Sequence, residues 1–310
     1  MNIKDLQSKE NPTWCPGCGD YGILAAVKSA LVELSSAPGL DVRPENTVIV
    51  TGIGCGSKIN HYVKVYGFEG LHGRPLPVAT AVKLCNPSLN VIAVGGDGDG
   101  YGLGMGHFIH SARRNLNITY IVEDNQVYGL TTGQTSPTSA KGTKSKSTPF
   151  GAIELPANPL ALALSAGATF VARGYAGDLP HLTALIAAGV AHPGFSLIDV
   201  LQPCVTFNKV NTYDFFGKKV YKLGVSDGNT VGGDKYNGGK AIGSGLNVEG
   251  LTLSEAIEKS YEWDDKIPLG VFYKEDRPTY EEMEIGLKNG KPVDVPVDPV
   301  EIEELMEEFM

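Results

Sequence analysis

The stretch GGDGDGYGLGMG, Gly95 to Gly106, decides the fold. It follows NVIAV (90–94), an unbroken apolar run of buried-strand type, and opens GMGHFIHSARR (104–114), which reads as a helix. A strand, a glycine loop and a helix in that order present backbone N–H groups to an anion at the carboxyl end of a parallel strand. Asp97 and Asp99 sit inside this loop and would repel a phosphate, unless a divalent cation stands between them. A second strand, ITYIVE (118–123), ends just before Asn125, 28 residues beyond Asp97. If the two strands are neighbours, Asp97, Asn125 and a backbone carbonyl beyond it make half of an octahedral Mg²⁺ shell, and a diphosphate completes it. The competing phosphate motifs fail here. No G-x-G-x-x-G register fits the loop, because Tyr101, Leu103 and Met105 fall where the last glycine is required. No G-x-x-x-x-G-K-[ST] is present.

Gly-Asp-Gly after one strand, answered at this spacing by Asn after the next, is the pattern of thiamine diphosphate sites. The bland alternative is a glycine-rich turn with solvated aspartates. Asp99 serves either the loop itself or the diphosphate.

Outward from the loop, strands alternate with helices. Residues 21–34 carry apolar residues at helical spacing, with Asp20 as the expected N-cap. TVIV (47–50) is a strand, 76–85 a helix, and a polar, proline-containing loop runs from Thr131 to Pro149. A helix near 158–166, a strand TFVAR (169–173), a helix 179–190 and a strand FSLIDVL (195–201) follow. Such alternation predicts an α/β fold with a doubly wound parallel sheet covered on both faces. We place a cofactor-binding domain at 1–210 and a C-terminal extension at 211–310, packed on the core or on a partner. Within the extension, 224–246 reads as a glycine-rich loop, and helices are expected at 253–262 and 299–309.

Composition narrows the function classes. The chain has 310 residues and a net charge of −9, which disfavours nucleic acid as a partner. The N-terminal stretch MNIKDLQSKE has no apolar signal core, and no apolar run approaches the roughly 18 residues of a membrane span. The cytoplasm is the default location. Five cysteines, an odd number, argue against a disulfide framework and for metal or redox chemistry.

Cys15 and Cys18 form a C-x-x-C in a Pro/Gly turn. Cys55 follows the strand TVIV, and Cys204 follows the strand FSLIDVL, at the sheet edge that carries Asp97. Four thiolates could meet there, and such a set serves structural zinc or a [4Fe–4S] cluster. Cys85 lies in a helical apolar stretch and reads as a plain packing residue.

Taken together, NPTWCPGCGDYG, TGIGCGSK, GLHGRPLPVATAVK, GGDGDGYGLGMGHFIHSARRN, EDNQVYGLTTGQTSPT and QPCVTFN resemble the β subunit of 2-oxoacid:ferredoxin oxidoreductases. The likeness covers roughly residues 11 to 216. It implies a thiamine diphosphate-binding fold and three cofactors on this chain: thiamine diphosphate, Mg²⁺ and one [4Fe–4S] cluster. By that likeness Cys15, Cys18, Cys55 and Cys204 ligate the cluster, while Asp97, Asn125 and the carbonyl of Val127 hold Mg²⁺. Ile53, Gly54, Cys55, Gly56, His72, Gly98, Asp99, Gly129 and Leu130 line the cofactor. Lys58 corresponds to a catalytic cation at the substrate end, suited to a 2-oxoacid carboxylate. Cys-Gly-Ser stands here where many relatives read Cys-Ser-Gly or Cys-Ser-Ser.

The implied activity is CoA-dependent oxidative decarboxylation of a 2-oxoacid to acyl-CoA and CO₂, with electrons passing through the cluster to ferredoxin. Reductive carboxylation is its reverse. HGRPLP resembles the 2-oxoglutarate or broad-specificity branch more than the pyruvate enzymes. The carboxylate that activates the aminopyrimidine is expected on the α (or fused γ–α) partner; on this chain Glu69 and Glu123 are candidates only by residue type. The chain alone is then inactive. Two rival readings remain: a non-redox thiamine diphosphate lyase with a Cys₄ zinc site, and a scaffold with a vestigial site.

Overall fold

The alternation of apolar runs becomes one sheet. The computed structural model describes residues 1–224, 250–288, 290–295 and Met306. In chain order the first elements are α1 (Asp20–Leu34), β1 (Thr47–Thr51), α2 (Ile59–Tyr62), β2 (Tyr66–Glu69), α3 (Pro75–Cys85), β3 (Asn90–Gly96), α4 (Met105–Arg114) and β4 (Thr119–Asp124). A small hairpin of β5 (Val127–Tyr128) and β6 (Gln134–Thr135) follows. Then come α5 (Pro159–Ala166), β7 (Phe170–Tyr175), α6 (Leu179–Ala191), β8 (Ser196–Leu201), α7 (Tyr213–Lys219), β9 (Val220–Lys222), α8 (Leu253–Ser260) and β10 (Ile267–Lys274).

Eight strands form the main sheet in the order β2-β1-β3-β4-β8-β7-β10-β9. All neighbours are parallel except β10 against β7. The doubly wound expectation therefore holds, with an antiparallel step near one edge. Alternating strand residues are apolar on both faces. Ile49, Ile92, Ile121 and Ile198 pack with α1 and α6; Val50, Ala93, Val122 and Leu197 pack with α3, α4, α5 and α8. Burial of each such side chain stabilises the fold by about 1.5–3 kcal/mol.

Helix starts follow side-chain chemistry. Asn158 and Asp178 accept from backbone N–H groups of α5 and α6, each with a proline in the first turn. At α1 the expectation fails: Gly19 is the cap, and Asp20 is the first helical residue, fully buried, with neither carboxyl oxygen held by an N–H or hydroxyl donor.

The segment after residue 211 does more than pack on the sheet. It supplies β9 and β10, with Gly270 opposite Arg173, and a satellite core of Phe216, Val220, Ile267 and Leu269 against Tyr175 and Leu201. IPLGVFYK was not expected as a strand. Pro268 and Gly270 weaken its β signal, and a register shift separates Val271 from Tyr273. The 253–262 helix appears as α8. The 224–246 loop and the 299–309 helix lie outside the described residues apart from Gly224 and Met306. Among the described residues no helix is long and apolar enough to cross a membrane.

Candidate active site

Four adjacent parallel strands, β1, β3, β4 and β8, deliver their carboxyl ends to one rim. The loops that leave them carry TGIGCGS, Asp97, Asn125 and Cys204. Strands β3 and β4 are paired, Gly96 against Glu123, so the condition set on Asp97 and Asn125 is met. A cavity of about 260 Å³ opens there, lined by Asp97, Asn125 and Val127 and by all nine residues expected to contact the cofactor. Gly96, Tyr128 and Thr131 complete the lining.

Asp97 is 1% exposed, and its two oxygens differ. Oδ2 accepts from Ser136 Oγ at 2.5 Å and from Thr138 Oγ1 at 2.6 Å. Oδ1 has no partner. Burial pushes the Asp97 carboxyl up to about 6, while the bonds from Ser136, Thr138 and the Gly98 N–H pull it down. A buried carboxylate oxygen without a donor in a glycine-lined cavity is the oxygen a cation needs. Asn125 Oδ1 accepts from the Val127 N–H at 3.0 Å, and Asn208 donates to the Asn125 carbonyl at 3.0 Å. Gln126 between them takes a left-handed φ of 59°, rare for a side chain of its size. These residues fit the expected Mg²⁺ site, and the glycine lining fits a diphosphate.

Asp99 has another task. Its Oδ1 accepts from Ile53 N at 3.0 Å, Gly73 N at 2.7 Å and His72 Nδ1 at 2.8 Å. It brackets the loops after β1 and β2, the first of the two roles considered for it. Gly98 is required for contact: a Cβ there would run into the Tyr128 ring, whose hydroxyl donates to Gly98 O at 3.2 Å.

A buried polar chain continues from Asp97. Thr138 Oγ1 stands 2.8 Å from Asp124 Oδ1 as well. One hydroxyl has one hydrogen. Burial, then Asp199 and Asp97, push Asp124 well above the usual carboxylate range. The single Thr138 hydrogen is therefore shared between two carboxyl groups, Asp97 at 2.6 Å and Asp124 at 2.8 Å. Beyond lie Asp199, which accepts from Tyr101 OH at 2.9 Å, and Arg173, 3.6 Å from Asp199. The Arg173 guanidinium lies 5.5 Å from the rings of both Trp263 and Phe272, so the C-terminal segment holds the far end of this chain.

The cysteines occupy the neighbouring side of the rim. Cys18 and Cys204 are buried, Cys55 is half-buried and Cys15 exposed. Gly19 N donates to Pro203 O at 3.2 Å and Gln202 Nε2 to Cys18 Sγ at 3.0 Å, tying the C-x-x-C turn to the loop after β8. Burial, then the Asp20 charge, pushes the Cys55 thiol up to about 11, and Cys204 and Cys15 lie near enough to add to the effect. Burial and Asp20 also raise Cys18. Among the described residues no group of three His, Cys, Asp or Glu is drawn close enough to hold a single metal ion. The set nonetheless suits a larger cage: four cysteines on one rim, one receiving a hydrogen bond at sulfur. Cys85 is exposed and apart from it.

Three predicted groups stand outside the cavity. Lys58 does not line it, and its Nζ donates to Thr13 Oγ1 at 3.3 Å. Glu69 is exposed on the sheet-edge strand β2 and pairs with His61 at 2.7 Å. Glu123 is buried beneath Gly56, where a Cβ would strike its carboxyl. Neither glutamate lines the cavity. Ser136, Thr138 and Tyr128 are site residues that sequence reasoning passed over. For Ser136 and Thr138 the signal was the hydroxyl-rich run TSPTS after the Asn125 turn; Tyr128 directly follows Val127.

Two family models match the chain. The thiamine pyrophosphate enzyme C-terminal TPP binding domain matches residues 52–200, and the C-terminal region of the pyruvate ferredoxin oxidoreductase beta subunit matches 204–289. A 2-oxoacid:ferredoxin oxidoreductase subunit beta from a Sulfolobus species is 47% identical over 272 residues, 87% of this chain and 84% of that one. The protein of the same name from Saccharolobus solfataricus is 45% identical over 285 residues, 91% and 88% of the two chains. Among solved structures, the 2-oxoglutarate:ferredoxin oxidoreductase from Magnetococcus marinus, with 2-oxoglutarate, coenzyme A and succinyl-CoA bound, is similar with a TM-score of 0.81. It is 34% identical, over 99% of this chain and 96% of that one.

Proposed function

The chain belongs to the β subunits of the 2-oxoacid:ferredoxin oxidoreductases, oxidoreductases that act with other subunits, and on that premise we propose its cofactors, substrate and electron path. The protein binds thiamine diphosphate through Mg²⁺ held by Asp97, Asn125 and the Val127 carbonyl. It carries one [4Fe–4S] cluster on Cys15, Cys18, Cys55 and Cys204. With its α subunit and coenzyme A it decarboxylates a 2-oxoacid, 2-oxoglutarate in preference to pyruvate, and passes the electrons to ferredoxin in the cytoplasm. The same centres support reductive carboxylation when ferredoxin is strongly reduced.

When bound, thiamine diphosphate supplies the nucleophilic carbon and electron sink for decarboxylation, and the cluster accepts single electrons. This chain's residues do the rest. Asp97 Oδ1 anchors the cation, and glycine N–H groups cradle the diphosphate. Asp99 fixes the Ile53 and Gly73 loops around it. Cys55 belongs to both sites: it lines the cofactor cavity and stands in the cysteine rim. Lys58, just past it, meets the substrate carboxylate once the α chain closes the pocket. That chain also supplies the acid that neither Glu69 nor Glu123 provides here.

The unpartnered Asp97 Oδ1 in the cavity beside Cys55 is the observation that carries this reading. Anaerobic co-purification with the α subunit tests it, by metal and thiamine diphosphate analysis and by dye reduction with each 2-oxoacid. Support is a brown, CoA-dependent enzyme that prefers 2-oxoglutarate. A colourless, zinc-bearing enzyme, or one needing no CoA, overturns it. Lys58→Ala is expected to raise KM for the 2-oxoacid, with partial recovery in Lys58→Arg; an unchanged KM removes Lys58 from the site.

A further inference from the structure

The two oxygens of Asp97 are treated differently by the loop that folds over them, and that asymmetry bears on which cation the site takes. The hairpin of β5 and β6 turns the chain back at Gln134–Thr135, so the next four residues lie against the end of β3. This return is pinned: Ser139 Oγ donates to Gln126 O at 2.6 Å and accepts from Ser136 N at 2.8 Å. Ser136 and Thr138 are thereby placed, and both hydroxyls close on the same oxygen, Asp97 Oδ2. Both are buried, 8% and 4% exposed. Oδ1 alone is left to a ligand.

We propose that Ser136 and Thr138 are positioning residues that make Asp97 a one-oxygen ligand and so select Mg²⁺ over Ca²⁺. The inference rests on the reading of Asp97 as a cation ligand. The chemistry is general. Mg²⁺ keeps a tight octahedral shell and takes single carboxylate oxygens, whereas Ca²⁺ accepts both oxygens of one carboxylate in a larger, looser shell. Two hydrogen bonds to the ionised group at Oδ2 oppose its turning to share a larger cation.

The test is equilibrium dialysis of thiamine diphosphate against the anaerobically purified α–β enzyme, titrated with Mg²⁺ or with Ca²⁺. For the natural enzyme, retention requires a divalent cation and half-saturates at lower Mg²⁺ than Ca²⁺. Thr138→Val keeps the shape and loses the hydroxyl; its Mg²⁺ half-saturation rises at least about tenfold and the Mg²⁺/Ca²⁺ preference shrinks. Thr138→Ser restores both. Ser136→Ala moves both in the same direction by less, and stands in should Thr138→Val not fold. An unchanged cation preference in Thr138→Val, or in Ser136→Ala in its stead, overturns the inference while leaving Asp97 as a ligand. Retention by the natural enzyme without any divalent cation overturns the ligand reading itself.

Discussion

Two pairs of buried carboxyl groups lie at the carboxyl ends of these strands, and they are treated in opposite ways. Asp97 and Asp99 each have one oxygen held by two or three hydrogen-bond donors. Asp20 and Glu123 bury four oxygens, none held by an N–H or hydroxyl donor. Burial, then the adjacent Asp20, pushes Glu123 well above the usual carboxylate range. The first pair is wired by surrounding N–H and O–H groups to carry charge. The second sits among Cys18, Cys55 and the TGIGCGS loop, where burial raises both Asp20 and Glu123. A carboxylate that binds a cation must keep its charge when buried; one left without donors in a dry interior favours its neutral form.

Substitutions can break this contrast, and the largest effect falls on the wired side. Asp97→Ala is expected to weaken thiamine diphosphate retention by more than about 100-fold, beyond the usual cost of disturbing a ligand's supporting partners. The cluster's visible absorption should survive. Loss of both together would make the two sites inseparable. Arg173→Met comes next. It leaves Asp199 without its cation in a dry interior, a loss of about 3–5 kcal/mol. A chemical or thermal unfolding shift of the α–β enzyme measures it, and an unchanged midpoint would show that Asp199 does not need the Arg173 charge.

Smaller effects sharpen the other side. Glu123→Gln replaces an acid whose charged form burial disfavours by a neutral amide of the same shape. Its stability at neutral pH should stay within about 1 kcal/mol of the natural protein or rise. A large loss would mean that Glu123 is ionised. His192 offers a pH test away from the site. Burial pushes it down to about 4, and its Nε2 donates to Thr169 Oγ1 at 2.8 Å. The folded state prefers the neutral ring, so its contribution is complete above about pH 6.5 and is lost as pH falls towards 4. Thermal midpoints across that window should fall less steeply for His192→Asn than for the natural protein.

The contrast also explains what could be read from the sequence. Asp97 and Asn125 were legible because each directly follows an apolar strand, and one intervening helix places the strands side by side. Cys55 and Cys204 were legible by the strand ends they follow, and Cys15 and Cys18 by their C-x-x-C spacing in one turn. Ser136 and Thr138 were not, since their role depends on a hairpin only two residues wide that has no hydrophobic period. Asp20 read as a cap because Asp before an apolar helix usually is one; close approach of the loop after β8 to Gly19 buries it instead. Strand β10 was hidden by its own proline and glycine, although it carries Phe272 against the buried Arg173.

The central claim is that one rim carries a magnesium-anchored thiamine diphosphate next to an iron–sulfur cluster. The most direct test is iron, sulfide and thiamine diphosphate analysis of the anaerobic α–β enzyme, with low-temperature electron paramagnetic resonance before and after adding 2-oxoglutarate. About four iron and four sulfide per β chain beyond what the partner holds, and a reduced-cluster signal that appears with substrate and is absent in Cys55→Ala, is the predicted result. Zinc in place of iron, or a signal unchanged in Cys55→Ala, would contradict it.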